Sequence, residues 1–359
     1  IKIAQEFYLK AKTNGDIYLG EYQGLYCEGC EAYLNESDLV NGRCQFHSNK
    51  EPLKISEKNY FFKLSKYQKW LEEYIENNPE FVQPEAKRKE ILAFIRSGLK
   101  DFSVSRQNVT WGIPIPDDPQ HTIYVWFDAL INYYTFGFQN NCWPADVHIL
   151  GKDNERFHAI YWPAMLKSVG YALPKTILVH DFISLNGQKI SKSLGNVIRP
   201  SELIKKFGVD GVRYFFIKYG PLNNDVDINL EKIKDSYNSE LANGLGNLVS
   251  RVAKLAEVND IDAGKTEVKE LDKFITEPLD QYRFDWALEE IWKKIKILDT
   301  KINTEKFWEN TKTKTVSLVE VIEGIRQIAF DLKPFLPETA EKIEKQYTQS
   351  KIKSGKPLF

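Results

Sequence analysis

The run TILVHDFISLNGQKISKSLGN, residues 176–196, joins a buried strand to a loop suited to anions. Thr176 to Val179 is a short continuous apolar stretch, as found in strands covered on both faces of a parallel sheet. It runs into His180 and a segment in which Lys189 and Lys192 stand among small hydroxyl residues between Gly187 and Gly195. Glycines on both sides leave the backbone free to follow a ligand, and ammonium groups so placed suit a phosphate clamp. The chemistry that uses such a clamp is attack on a nucleoside triphosphate. There, positioned cations offset charge gathering on the transferring phosphate and the departing pyrophosphate. Taken alone, KISKS reads equally well as a lysine-rich surface turn.

Two earlier stretches repeat the strand-then-helix pattern. Thr122 to Phe127 reads as a buried parallel strand whose helix is capped by Asp128, and Val147 to Leu150 feeds a helix through GKDNERFHAIYWPAML. Alternation of this kind predicts a doubly wound α/β sheet, in which ligands bind at the carboxyl ends of the strands. Trp126, Gly151, Asp153, His158 and His180 all lie at or just beyond such ends, so one shared pocket is expected. Singly, Trp126 and Phe157 read as core aromatics and His158 as a helix histidine satisfied by a neighbour.

Upstream, Ala4 to Asn14 reads as a helix stopped by Gly15, and Ile17 to Tyr26 as a strand leading into cysteines. Cys27, Cys30, Cys44 and His47 have the spacing C-x2-C-x13-C-x2-H. Two knuckles of this kind complete a tetrahedron of three thiolates and one imidazole, which suits a closed, structural zinc site. Ordinary reduced thiols on a hairpin are the alternative, and Cys142, outside the pattern, reads as a buried hydrophobe. Tyr60 to Leu64 then returns as a strand. Two amphipathic helices follow, with core faces Leu64, Tyr67, Leu71, Tyr74, Ile75 and Ile91, Leu92, Ile95, Leu99.

Downstream of the lysine loop, Ser201 and Glu202 open a helix, Val209 to Tyr219 forms another, and Asn223 to Asp227 is an acidic, turn-rich connection. From Asn229 the apolar stripes have helical period: Leu241, Leu245, Leu248, Val249, Val252 and Leu255, then Trp286, Leu288, Ile291, Ile295 and Leu298. An antiparallel helical bundle is expected. With 49 Lys+Arg against 50 Asp+Glu the chain is near neutral, so any nucleic-acid partner must meet local basic patches. No apolar run approaches membrane-spanning length and Ile1 opens no secretory signal, so a cytoplasmic protein without membrane or DNA partners is expected.

Six stretches occur in a telling order: WGIPIP, DPQHTIYVWFDALINYY, ILGKDNERFHAIYWPAML, NGQKISKSLGNVI, GVRYFFIKYGPLNNDVDINLE and NSELANGLGNLVSR. KISKS resembles the second signature of class I aminoacyl-tRNA synthetases, usually KMSKS, and the series is similar to the bacterial-type methionyl-tRNA synthetases. With the cysteine-rich insertion it covers essentially all of the chain. The resemblance implies the end of a first catalytic half and a zinc-carrying insertion over 1–100, with the knuckle at 27–47. It further implies the second half of a Rossmann-like catalytic domain over 101–180, the lysine loop and a stem-contact region over 181–235, and an anticodon-binding bundle over 236–359.

Residue by residue, Trp126, Ala129, Tyr133, Phe157 and His158 fall on positions of the methionine side-chain pocket. Gly151, Asp153, His180 and Ile183 fall near ATP and the methionyl adenylate, and Lys189 and Lys192 are the catalytic loop lysines, Lys192 the one expected on the phosphates. Asn243, Asn247 and Arg251 match positions that read the anticodon, and Trp308 an aromatic on which an anticodon base stacks; Phe307 departs from the family's usual proline. The implied reaction is that of methionine–tRNA ligase: ATP with Mg²⁺ activates methionine, and the methionyl group passes to tRNA(Met). A monomer is expected.

No HIGH-like first signature occurs, Ile1 replaces an initiator, and Met165 is the single methionine. The expectation is therefore a synthetase lacking its amino-terminal segment, with an open sheet edge, an uncovered apolar face and no activity of its own. Two alternatives carry distinct expectations. A catalytically incompetent zinc and tRNA-binding module would bind without activating methionine, and a class I synthetase for another amino acid would prefer that amino acid.

Overall fold

Phe7, Tyr8 and Ala11 recur on one face of a twelve-residue helix, α1 (Lys2–Thr13), and are fully buried. Gly15, at φ +75°, turns the chain into β1 (Ile17–Cys27). The computed structural model describes residues 1–27, 32–34, 39–40, 42–44, 51–107, 109, 111–190, 197–222, 224–266, 268, 270–309 and 315–359. These form two compact units, Ile1–His180 and Asp181–Phe359. The first is mixed α/β, and the second is mostly helical after a small sheet.

In the first unit β1 pairs antiparallel with β2 (Leu53–Phe62), from Ile17 opposite Phe62 to Tyr26 opposite Leu53. Cys27 ends β1 and Cys44 lies in a short strand, Arg43–Cys44; both are buried, at 3% and 1% exposure. Cys30 and His47 lie outside the described residues. The root of this arm is held at Asp16, which accepts hydrogen bonds from Lys66 Nζ at 2.5 Å, Tyr67 Oη at 2.7 Å and Ser168 Oγ at 2.8 Å. Burial alone would raise the Asp16 carboxyl, but these donors hold it below the usual range.

Helices α2 (Gln68–Asn77) and α3 (Glu85–Arg96) flank β3 (Val82–Gln83), and bury Leu71, Ile75, Ile91, Leu92 and Ile95 as their spacing requires. The expected parallel strand at Thr122–Phe127 is corrected. The strand is β4 (Asp118–Ile123), and it is antiparallel, between Ser105–Gln107 and Pro114–Ile115. Val125 already begins α4 (Val125–Gln139), with Tyr124 in the capping position, so Asp128 is a first-turn residue and not the cap. An apolar run crossed a strand–helix boundary, which periodicity over six residues does not resolve.

The parallel sheet has the order β5 (Val147–Gly151), β6 (Thr176–His180), β3. Helix α5 (Trp162–Val169) follows β5, and α1 packs on α4 and α5 through Phe7 against Phe127 and Trp162. Among the described residues β5 is an edge strand, and its Ile149 is 68% exposed. Cys142 is exposed in the turn after α4, not buried as its residue type suggested.

The second unit opens with β7 (Ile183–Leu185) and β8 (Gln188–Lys189), an antiparallel hairpin, and β9 (Val226–Ile228) lies parallel to β7. The connection expected at Asn223–Asp227 thus contains a strand. Helix α6 (Pro200–Tyr219) is two helices meeting at Gly208, whose φ of +71° breaks the turn as the separate sequence signals required. Next come α7 (Leu230–Ser236), a π-helical segment Tyr237–Gly246 and α8 (Asn247–Val258). Helices α9 (Lys273–Asp280), α10 (Phe284–Glu305), α11 (Thr315–Asp331) and α12 (Pro337–Tyr347) complete a bundle around Leu248, Val252, Ile291 and Ile325.

Candidate active site

Two chain reversals in the first unit bring the candidate residues together. At the first, β4 gives way to α4 and sets Trp126 in the opening turn, with Tyr133 two turns on. At the second, β5 passes through a short 3-10 turn, Lys152–Asn154, into a π-helical segment, Phe157–Tyr161. There the Trp162 amide reaches back five residues to the Phe157 carbonyl, and Pro163 follows with no N–H to offer Ala159.

The Trp126 and Phe157 rings stack at 4.3 Å between centroids and 11° between planes, and Trp126 remains 36% exposed. Beside them Tyr133 Oη lies 2.9 Å from His158 Nε2, while His158 Nδ1 lies 2.9 Å from the Asn154 carbonyl. A carbonyl only accepts, so Nδ1 carries the proton, Nε2 is the acceptor, and the Tyr133 hydroxyl donates to it. Burial lowers the His158 pKa despite the Asn154 contact, which agrees with a neutral ring. His148, reaching in from β5, packs on Tyr133 at 4.4 Å and on His158 at 6.0 Å. Burial, then the neighbouring His158, lowers its pKa to about 4. This cluster is therefore aromatic and uncharged near neutral pH.

Gly151 and His180 are opposite each other at the carboxyl ends of β5 and β6. A Cβ on Gly151 would sit 3.0 Å from Asp153 Oδ1 and 3.4 Å from the His180 ring. Glycine is what lets these three residues share one corner. Ala129 lies on α4 between Trp126 and Tyr133. Ile183 belongs to the second unit, on β7, packed with Leu203, Phe215, Ile228 and Ile233. Lys189 ends β8 with its backbone paired to Ser184, and Lys192 lies outside the described residues.

In the bundle, a groove of about 420 Å³ runs between the Tyr237–Gly246 and α8 segment and α10, and Asn243, Asn247 and Arg251 line it together. Arg251 donates to Asp299 Oδ1 at 2.9 Å and to Asn303 Oδ1 at 2.8 Å, and its guanidinium carbon is 6.0 Å from the half-exposed Trp308 ring.

Residues 1–51 and 28–253 match the family model described as tRNA synthetases class I (M). The methionine–tRNA ligase of Thermotoga maritima is 39% identical over 371 residues, 96% of this chain and 59% of that protein. That of a Nostoc species is 38% identical over 375 residues, 96% of this chain and 71% of that protein. The chain belongs to the methionine–tRNA ligase family of class I tRNA synthetases. It spans less than two thirds of the length of the Thermotoga relative. Mycobacterium tuberculosis methionyl-tRNA synthetase, solved in complex with methionyl-adenylate, superposes with a TM-score of 0.87 at 31% identity, over 100% of this chain and 80% of that one.

Against this family background, two contributors to the site carry no sequence signal of their own. His148 looks like one polar residue in an apolar strand, and Asn154 acts through its carbonyl, which every residue has. Only the pairing of β5 with β6 and the turn after β5 bring them to Tyr133 and His158.

Proposed function

We propose that the full-length protein activates methionine with ATP and transfers the methionyl group to tRNA(Met). The observation that carries this reading is the stacked Trp126–Phe157 pair closing beside the neutral Tyr133–His158 pair. A thioether is apolar, polarizable and flexible, and gains from sulfur–ring contacts without asking for charge. The adenylate bound in the Mycobacterium relative supports the same reading. The parallel sheet is then the described part of a doubly wound, Rossmann-like class I domain.

In the first step the methionine carboxylate oxygen attacks the α-phosphorus of ATP, the bond to the bridging oxygen breaks, and pyrophosphate leaves. Trp126, Ala129, Tyr133, Phe157 and His158 hold the side chain, and the corner of Gly151, Asp153 and His180, with Ile183, receives the adenylate. Lys189 and Lys192 offset charge on the phosphates, and catalysis is positioning and charge stabilisation. Mg²⁺ bound with ATP supplies further charge neutralisation. In the second step a hydroxyl of the terminal adenosine of tRNA attacks the carbonyl carbon, and AMP leaves. Asn243, Asn247, Arg251 and Trp308 read the anticodon by edge contacts and stacking.

Cys27, Cys30, Cys44 and His47 would hold a structural zinc. Burial of Cys27 and Cys44, while Val40 and Leu53 are exposed, fits soft donors turned inward. The protein acts as a cytoplasmic monomer.

The test is methionine-dependent ATP–pyrophosphate exchange by the full-length gene product, with leucine, isoleucine and valine as competitors. Exchange with methionine alone is expected. Absence of exchange together with CAU-specific tRNA binding would favour a binding module, and preference for a competitor would assign a different synthetase.

A further inference from the structure

The hairpin that carries Lys189 turns on Asn186 and Gly187, both at positive φ, +51° and +75°, with Leu185 opposite Gln188. This is a two-residue type I′ turn, and Asn-Gly is its preferred sequence. In such a turn the hairpin's own ladder leaves the amides of both central residues unused. Here β9 takes both. The Asn186 N–H donates to the Ile228 carbonyl at 3.4 Å, and the Gly187 N–H donates to Asp227 Oδ1 at 2.6 Å. The same Oδ1 accepts the Ser184 hydroxyl at 2.9 Å, and Ser184 is the residue whose backbone pairs with Lys189. Asp227 thus grips the turn and the strand position across from the lysine. It is held in turn from α7, where Lys232 Nζ donates to its carbonyl at 2.9 Å.

We infer that Asp227 is a positioning residue for the activation step, fixing in one place the hairpin backbone that carries Lys189. The inference rests on the proposed activity and adds to it a residue that touches no substrate. The hydrogen bonds from Gly187, then Ser184, hold the Asp227 carboxyl below the usual carboxylate range, so both donors meet an anion at neutral pH. Misplacement by about 1 Å typically costs on the order of a hundredfold in rate, so a two-bond clamp on the backbone that carries Lys189 has leverage although its half-buried carboxylate touches no substrate.

The experiment is methionine-dependent ATP–pyrophosphate exchange by the full-length gene product, measured as kcat and KM for wild type, Asp227→Ala, Asp227→Asn, Ser184→Ala, Lys189→Ala and the Lys189→Ala/Asp227→Ala double variant. Asp227→Ala should lower kcat roughly 10–100-fold with KM for methionine and tRNA(Met) binding unchanged. Asp227→Asn, which keeps the acceptor oxygen, should stay within about threefold of wild type, and Ser184→Ala should fall between the two. The double variant should be no slower than Lys189→Ala, since residues acting as one unit are not additive. Equal rates for Asp227→Ala and wild type would overturn the inference, as would Asp227→Asn matching Asp227→Ala, or losses that multiply in the double variant. Should Asp227→Ala fail to fold, Ser184→Ala at the wild-type rate has the same force. A wild-type protein without exchange would refute the proposed activity itself, which is a different outcome.

Discussion

Acidification should weaken the fold through His148, and the size of the effect follows from its surroundings. The ring is 7% exposed, packed among Tyr133, Trp143 and His158, and its Nε2 has no hydrogen-bond partner among the described residues. A proton added there would be buried without an acceptor and beside a second imidazole, which is why its folded-state pKa is lowered to about 4. An unfolded histidine titrates near 6.5. Between those values the unfolded chain binds a proton that the folded protein does not, so acid draws the equilibrium towards unfolding. The contribution is complete above about pH 6.5 and is lost as pH falls towards 4, and at ~1.4 kcal/mol per pH unit it amounts to about 3 kcal/mol. Urea unfolding followed by tryptophan fluorescence, with Trp143 beside the ring, measures it at pH 7.5, 6.5, 5.5 and 4.5. His148→Gln cannot titrate, so its stability should decline less steeply, and the gap to wild type at neutral pH should close or reverse by pH 4.5. Parallel curves for the two proteins across this range would refute the reasoning.

Other outcomes follow from the same geometry. Trp126→Ala removes half of the stacked pair and should raise KM for methionine about tenfold, an aromatic contact of ~1–1.5 kcal/mol, with a smaller change in kcat; steady-state exchange kinetics decide it. Arg251→Ala should cut the preference for tRNA with a CAU anticodon over an anticodon mutant roughly 10–100-fold, read by paired binding titrations, while leaving exchange intact. Arg326 is buried on α11 and donates to the carbonyls of Ala263, Gly264, Tyr347 and Gln349 and to Glu323. Arg326→Met leaves those acceptors without a donor and should cost about 3–5 kcal/mol of bundle stability, visible as a large drop in Tm. An unchanged Tm would show that water replaces the guanidinium at little cost.

What the sequence revealed and what it hid divide along the range of the interactions. Leu71 and Ile75, or Leu248 and Val252, lie one turn apart on a helix, so a stripe in the sequence is a stripe in space. The apolar run Thr176–Val179 likewise announces a strand covered on both faces, and all four residues are buried. Pairing partners are another matter. Residues 118–123 join an antiparallel sheet because Ser105–Gln107 and Pro114–Ile115 lie beside them, which no property of the six residues specifies. The π-helical segments at Phe157–Tyr161 and Tyr237–Gly246 shift the helical period just where candidate site residues stand, so a 3.6-residue reading places Phe157, His158 and Asn243 only approximately. Asp227 was legible only as an acid in a turn-rich connection, since Ser184 and Gly187, which its carboxylate holds, lie about forty residues earlier.

The uncharged character of the aromatic cluster bears on how the proposed enzyme would choose its substrate. Methionine, leucine and isoleucine differ little in volume, and exclusion by one methylene is worth only about 1–3 kcal/mol. Sulfur–ring contacts add about 0.3–1.5 kcal/mol, and they need a ring face that no cation or competing donor has claimed. In the Tyr133–His158 pair the hydroxyl is spent on Nε2 and the Nδ1 proton on Asn154, so neither points a free donor at the thioether. Protonating His158 would undo this at one stroke. Nε2 would become a donor, the Tyr133 oxygen would accept from it and turn its own hydrogen away, and a buried charge would favour a hydrated or polar ligand over an apolar one. In the proposed enzyme, keeping both imidazoles neutral by burial would therefore serve selectivity as much as stability.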